Sequence, residues 1–160
     1  MSREEKVSRV RGCLQVGSYP VAMNVREDNK TIQGCVLVVD DDPHVRKTVH
    51  IALLQGGYDV REAENGEQAI ETIQHTTVDQ MVDVIICDLM MPKMGGKEVI
   101  PFFRSQFPTI PIIVITAFPD VQSATALFKQ GVVDYLIKPV EAGTLLEAVR
   151  RAMGEQAMLG

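Results

Sequence analysis

Val36-Leu37-Val38-Val39-Asp40-Asp41-Asp42-Pro43 is the stretch on which the reading of this chain turns. Four branched apolar residues in a row match a short strand buried on both faces. Three acids follow at once, where the strand ends and a loop begins. Asp42 is placed to cap a helix whose first position is Pro43, where a missing N–H costs nothing. Val45, Val49, Ala52 and Leu53 share one face of that helix, and Gly56-Gly57 ends it.

The pattern then repeats. From Gly34 onward, apolar runs alternate with helix-length stretches: Val36–Val39, Tyr58–Ala63, Val84–Cys87, Ile112–Ile115 and Asp134–Ile137. Such alternation predicts an α/β domain with a doubly wound, five-stranded parallel sheet. The order expected is 2-1-3-4-5, which sets the first strand beside the third and reverses the chain between them. Ligands bind at such a reversal, outside the carboxyl ends of the strands. Asp40 and Asp41 follow the first run and Asp88 follows the third, so these carboxylates are expected to converge. Thr116 ends the fourth run and Lys138 the fifth, at the same edge.

Carboxylates crowded in this way repel one another unless a cation holds them. An all-oxygen set suits a hard ion such as magnesium. Phosphoryl transfer needs mainly positioning and charge neutralisation, and a carboxylate can serve as its nucleophile. Asp88, with a metal at its side and Lys138 near, is equipped for that chemistry.

Composition narrows the classes further. Residues 1–33 carry six basic and four acidic side chains, and the rest carries ten basic and seventeen acidic. An acidic globular unit argues against binding nucleic acid through its phosphates. The three cysteines, Cys13, Cys35 and Cys87, match no zinc spacing and read as small apolar residues in a reducing cytoplasm. No apolar run is long enough to span a membrane, and the first residues lack the core of a secretion signal.

Other segments are read from local signals. Asn65, with Gln68 three residues on, forms a capping-box pattern for the second helix. Pro101 conflicts with the third, roughly residues 97–106, which is expected either to begin later or to kink. Residues 154–160 read as a C-terminal tail. In residues 1–33, Val21, Met23 and Val25 alternate, and Gly17-Ser18-Tyr19-Pro20 suggests a turn. That extension reads as a flexible tail or a small hairpin, with the tail favoured.

Four pieces in order carry a resemblance. They are Val38-Val39-Asp40-Asp41-Asp42; Asp88-Leu89-Met90-Met91-Pro92 with Gly95-Gly96; Thr116-Ala117; and Asp134-Tyr135-Leu136-Ile137-Lys138-Pro139. Over residues 34–153 the chain resembles the receiver domain of two-component response regulators, a flavodoxin-like (β/α)5 fold. The resemblance implies that Asp88 is the phosphoacceptor, taking a phosphoryl group from a sensor histidine kinase or phosphotransfer protein. It implies that Asp40, Asp41, Asp88 and the backbone carbonyl of Met90 hold Mg2+ (or Mn2+). Thr116 would bond a phosphoryl oxygen, Lys138 would offset its charge, and Pro139 would follow a cis peptide bond. Thr116 and Tyr135 would form the switch.

A receiver of this kind catalyses its own phosphorylation and dephosphorylation and turns over no external substrate. Its output is expected through the surface of the fourth helix, fifth strand and fifth helix. That surface would serve a downstream effector protein, a C-terminal output domain missing from this sequence, or a homodimer. Direct nucleic-acid and membrane contacts are not expected. Met90 and Phe118 flank the site without a group to orient water, so self-dephosphorylation is expected to be slow.

The plainer readings stand beside these. The three histidines lie on helical stretches without metal spacing, and the acidic run Glu62, Glu64, Glu67 and Glu71 reads as a solvated face. Gly95-Gly96-Lys97 is no phosphate-binding loop, since Glu98 follows where Ser or Thr would be needed. Two rival functions remain at this point. One is a receiver-like module that is never phosphorylated. The other is an aspartate-dependent phosphatase, disfavoured because Met90 stands where its second acid would be.

Overall fold

Alternate residues of one short strand serve two different cores. Along β3 (Cys35–Val39), Leu37 and Val39 belong to one apolar cluster, Val36 and Val38 to the other, and all five residues of the strand are buried. This is why the sequence shows an unbroken apolar run: a parallel sheet covered on both faces has no polar side. A computed structural model describes residues 10–16, 19–25, 31–77 and 81–159.

The elements after β3 are α1 (Pro43–Gln55), β4 (Asp59–Ala63), α2 (Gly66–Gln74), β5 (Val84–Asp88), α3 (Gly96–Gln106), β6 (Ile112–Thr116), α4 (Val121–Lys129), β7 (Asp134–Ile137) and α5 (Ala142–Leu159). The five strands are parallel in the order β4-β3-β5-β6-β7, which is 2-1-3-4-5 counted from β3. This is the doubly wound, flavodoxin-like arrangement. One core packs Leu37, Ile85, Cys87 and Val114 against Val99 and Phe103 of α3 and Leu127 of α4. The other packs Val38, Ile86 and Ile115 against Leu53 of α1 and Leu145 and Val149 of α5.

Local signals account for most helix ends. The Asp42 side chain accepts from the N–H groups of His44 (2.8 Å) and Val45 (3.4 Å), capping α1. The His44 bond in particular holds the Asp42 carboxyl below its ordinary pKa. At α2, Asn65 Oδ1 accepts from the Gln68 N–H at 2.9 Å, while Gln68 Oε1 accepts from Glu64 rather than from the cap residue. Gly57, at φ 89°, turns the chain out of α1.

The structure decides three open readings. Helix α3 does not begin late; it spans Gly96–Gln106 with the proline inside. Pro101 and Lys97, whose carbonyl has no proline N–H to bond, both lie on the exposed side of the helix. The second reading concerns the extension. Strands β1 (Val10–Val16) and β2 (Tyr19–Val25) form an antiparallel hairpin, the less favoured of the two alternatives read for the extension. Its register pairs Val10 with Val25, Gly12 with Met23, Leu14 with Val21 and Val16 with Tyr19. Of the turn expected at 17–20, Tyr19 and Pro20 already belong to β2, and residues 17–18 lie outside the described residues. At the other end, α5 continues through the stretch read as a tail. The sequence there is rich in Ala, Glu, Gln, Met and Leu, all strong helix formers.

The start of α3 is pressed onto the strand that carries Asp88. A Cβ on Gly96 would lie 2.7 Å from the Asp88 carbonyl oxygen and 2.9 Å from the Leu89 Cα. Both are backbone atoms with no freedom to swing aside. Gly96→Ala is therefore expected to lower stability by about 1–3 kcal/mol, as overpacking does. Urea unfolding measures this, and an unchanged midpoint would contradict the close approach.

Candidate functional site

Register does the assembling. Val39 pairs with Cys87, so the next residues, Asp40 and Asp88, stand side by side at the ends of β3 and β5. Asp88 pairs with Ile115, one residue short of Thr116, and Thr116 pairs with Ile137, one residue short of Lys138. Four strand ends thus deliver two acids, a hydroxyl and an ammonium to one edge of the sheet.

Asp40 is wholly buried. Its N–H donates to the Ala63 carbonyl at 3.1 Å, its Oδ1 accepts from the Asp42 N–H at 2.9 Å, and its carbonyl accepts from Arg46 Nη1 at 2.8 Å. Its Oδ2 lies 2.8 Å from Lys138 Nζ, near enough to pair charges but without a directed hydrogen bond. Asp88 is 3% exposed; its Oδ2 accepts from Lys138 Nζ at 3.0 Å and its Oδ1 from the Met90 N–H at 3.2 Å. Asp41 is exposed, yet one oxygen from each of Asp40, Asp41 and Asp88 lies within 4.8 Å of the others.

One ammonium faces two buried carboxylates and a third nearby. Burial raises the pKa of Asp88, and the charge of Asp40 adds to this, while the Lys138 and Met90 bonds oppose it. For Lys138, burial pulls the pKa down, but its pairing with Asp40 and Asp88 outweighs this and holds it above the ordinary value. The cluster retains excess negative charge. A buried oxygen lacking a directed donor, in a set of hard oxygen donors, suits an oxygen-seeking divalent ion. The site as it stands fits one.

Thr116 is fully buried; its Oγ1 accepts from the Phe118 N–H at 3.1 Å, and its carbonyl accepts from the Lys138 N–H at 2.8 Å. The Lys138–Pro139 peptide is cis. Tyr135 is half-buried against the α3 and α4 core, with its hydroxyl 3.4 Å from the N–H of Asp120, the cap of α4. Met90 and Phe118 are exposed beside the site. A groove lined by His44, Val45, Thr48, Pro139 and Val140 opens next to Lys138.

The contacts of two charged residues near the site escaped the sequence reading. Arg46 bonds the Asp40 carbonyl and also lies 3.4 Å from Glu62 Oε1, and Glu62 Oε2 is 3.1 Å from His50 Nδ1. Glu62 is exposed, as a solvated face requires, and is also partnered on β4. Asp134 is paired within the chain to Arg151 at 2.9 Å. Among the described residues, no helix is long and apolar enough to cross a membrane.

Known proteins resemble this chain in sequence and fold. Residues 36–150 match the family model of the response regulator receiver domain. The transcriptional regulatory protein ZraR of Escherichia coli (strain K12) is 37% identical over 74% of this chain and 26% of its own length. The response regulator protein FleR of Pseudomonas aeruginosa is 33% identical over 75% of this chain and 25% of its own. The chain thus spans about a quarter of the length of these relatives. A response regulator receiver domain protein from Clostridium thermocellum superposes with a TM-score of 0.73 at 26% identity, over 79% of this chain and 99% of that one.

Proposed function

The chain belongs to the response regulator receiver family of two-component signalling, and from that premise we propose that it takes a phosphoryl group onto Asp88. The observation that carries the proposal is the placement of the Asp88 carboxylate. Lys138 holds one of its oxygens at 3.0 Å, and Asp40 and Asp41 stand within 4.8 Å.

The donor is a phosphohistidine on a sensor histidine kinase or phosphotransfer protein. An Asp88 carboxylate oxygen attacks phosphorus; the new O–P bond forms as the P–N bond breaks, and the electron pair leaves on the imidazole nitrogen. The product is a mixed anhydride. Asp40, Asp41, Asp88 and the Met90 carbonyl would hold Mg2+ (or Mn2+), which neutralises charge on the phosphoryl oxygens when bound. Lys138 turns from carboxylate to phosphoryl oxygen and offsets the rest.

A phosphoryl group adds roughly −1.5 to −2 charges and three acceptor oxygens. The Thr116 hydroxyl accepts from Phe118 and keeps its own proton free to donate to one of those oxygens. Its movement draws the loop that begins α4, where Tyr135 touches the Asp120 N–H. The readout surface is α4, β7 and α5, on which Val121, Phe128 and Ile137 are exposed. It serves an effector protein, an output domain of a longer chain, or a second copy.

We take residues 34–153 as the receiver unit and 1–33 as an added extension. The setting is the cytoplasm, which suits the buried Cys35 and Cys87. The reaction is self-phosphorylation and self-dephosphorylation, without turnover of other substrates.

Acetyl phosphate with magnesium tests this by intact mass. The expected result is one added phosphoryl group, absent when the ion is chelated. It should decay slowly, because neither Met90 nor Phe118 can orient an attacking water. No gain of mass would refute the proposal, and a half-life of seconds would refute the role given to those two residues.

A further inference from the structure

We propose that Arg46 is a positioning residue for the cation-binding carboxylates, bracing the Asp40–Asp41 turn against Glu62 of β4. The inference rests on reading Asp40 and Asp41 as cation ligands.

Asp40 is fixed at three points besides Lys138. Its N–H is held by Ala63, its Oδ1 by the Asp42 N–H, and its carbonyl by Arg46 Nη1 at 2.8 Å. The first two contacts are made by neighbouring backbone. The third comes from a side chain in the first turn of α1 that reaches back over the loop. There a cation opposes the helix dipole, so helix formation gives no reason for an arginine. Glu62 supplies one by lying 3.4 Å from Arg46 Nε, and His50 steadies the far oxygen of Glu62. The planar guanidinium thus joins a carboxylate on β4 to the carbonyl at the end of β3, a two-sided contact that a lysine ammonium cannot reproduce. The Arg46 side chain is 18% exposed, so water replaces this contact poorly. With its backbone held and Oδ1 occupied, Asp40 presents Oδ2 in one direction.

Charge alone predicts the opposite effect of removing Arg46. A nearby cation repels a divalent ion, so its loss would tighten binding; loss of a brace weakens it. The sign separates the two. Mg2+ affinity is measured by calorimetry on the full chain for wild type, Arg46→Met, Arg46→Lys and Glu62→Gln, at a temperature where far-UV circular dichroism shows each folded. Arg46→Met is expected to weaken Mg2+ binding about tenfold, the usual effect of losing a partner that orients a metal ligand. Arg46→Lys should fall between it and wild type. Glu62→Gln, which spares the arginine and guards against a poorly folded Arg46→Met, should weaken binding less but in the same direction. Equal or tighter binding by Arg46→Met or Glu62→Gln overturns the proposal. Failure of the wild-type chain to bind Mg2+ overturns the reading of the pocket, and the brace with it.

Discussion

Lys138→Met is expected to lower the stability of the metal-free protein by about 3 kcal/mol at neutral pH, near the lower end of what breaking a buried ion pair costs. The ammonium lies 2.8 Å from Asp40 Oδ2 and 3.0 Å from Asp88 Oδ2. Without it, two buried carboxylates face each other with no positive charge between them. The loss is held to the lower end because the ammonium side chain is 16% exposed, so water reaches part of the cluster. Magnesium should return much of the lost stability, since the variant then has an alternative cation. Urea unfolding with and without magnesium measures both effects. Metal-free stability equal to wild type would show that the ammonium does not hold the cluster together. The variant should also accept phosphoryl groups slowly, because the charge arriving on Asp88 lacks its partner.

Asp88→Asn should abolish phosphoryl uptake from acetyl phosphate, because an amide oxygen is no nucleophile toward phosphorus. The same variant carries a signature in pH. A carboxyl whose pKa is raised by folding contributes stability below its ordinary value of 3.8 and loses that contribution as pH rises through the raised value. Metal-free wild type should therefore lose stability across this interval relative to Asp88→Asn. Denaturation midpoints of both proteins, taken in steps from about pH 4 to about pH 7, test this. Parallel curves would mean that Asp88 titrates as it does in the unfolded chain.

The features that sequence made legible share a physical origin. A sheet covered on both faces requires unbroken apolar runs, so Val36–Val39, Val84–Cys87 and Ile112–Ile115 announce themselves. The residue that breaks each run must lie at the edge, which is how Asp40, Asp88 and Thr116 were found. The hairpin was harder to see. Its evidence is the pairing of Val10–Val16 with Tyr19–Val25, and Gly12 and Cys13 blur the alternation of the first strand. Pro101 left the start of α3 open because proline is tolerated at different places in a helix, and no local period decides between them. The contact of Arg46 with Glu62 was invisible as well. It joins α1 to β4 through side chains, and no local period encodes it.

The most direct test of the central claim is to locate the phosphoryl group. Wild-type protein is treated with acetyl phosphate and magnesium, the acyl phosphate is reduced with borohydride, and the altered residue is found by peptide mass mapping. The account predicts reduction at position 88 alone, lost on chelation of magnesium. Reduction at position 40 or 41, or labelling indifferent to the metal, would contradict it.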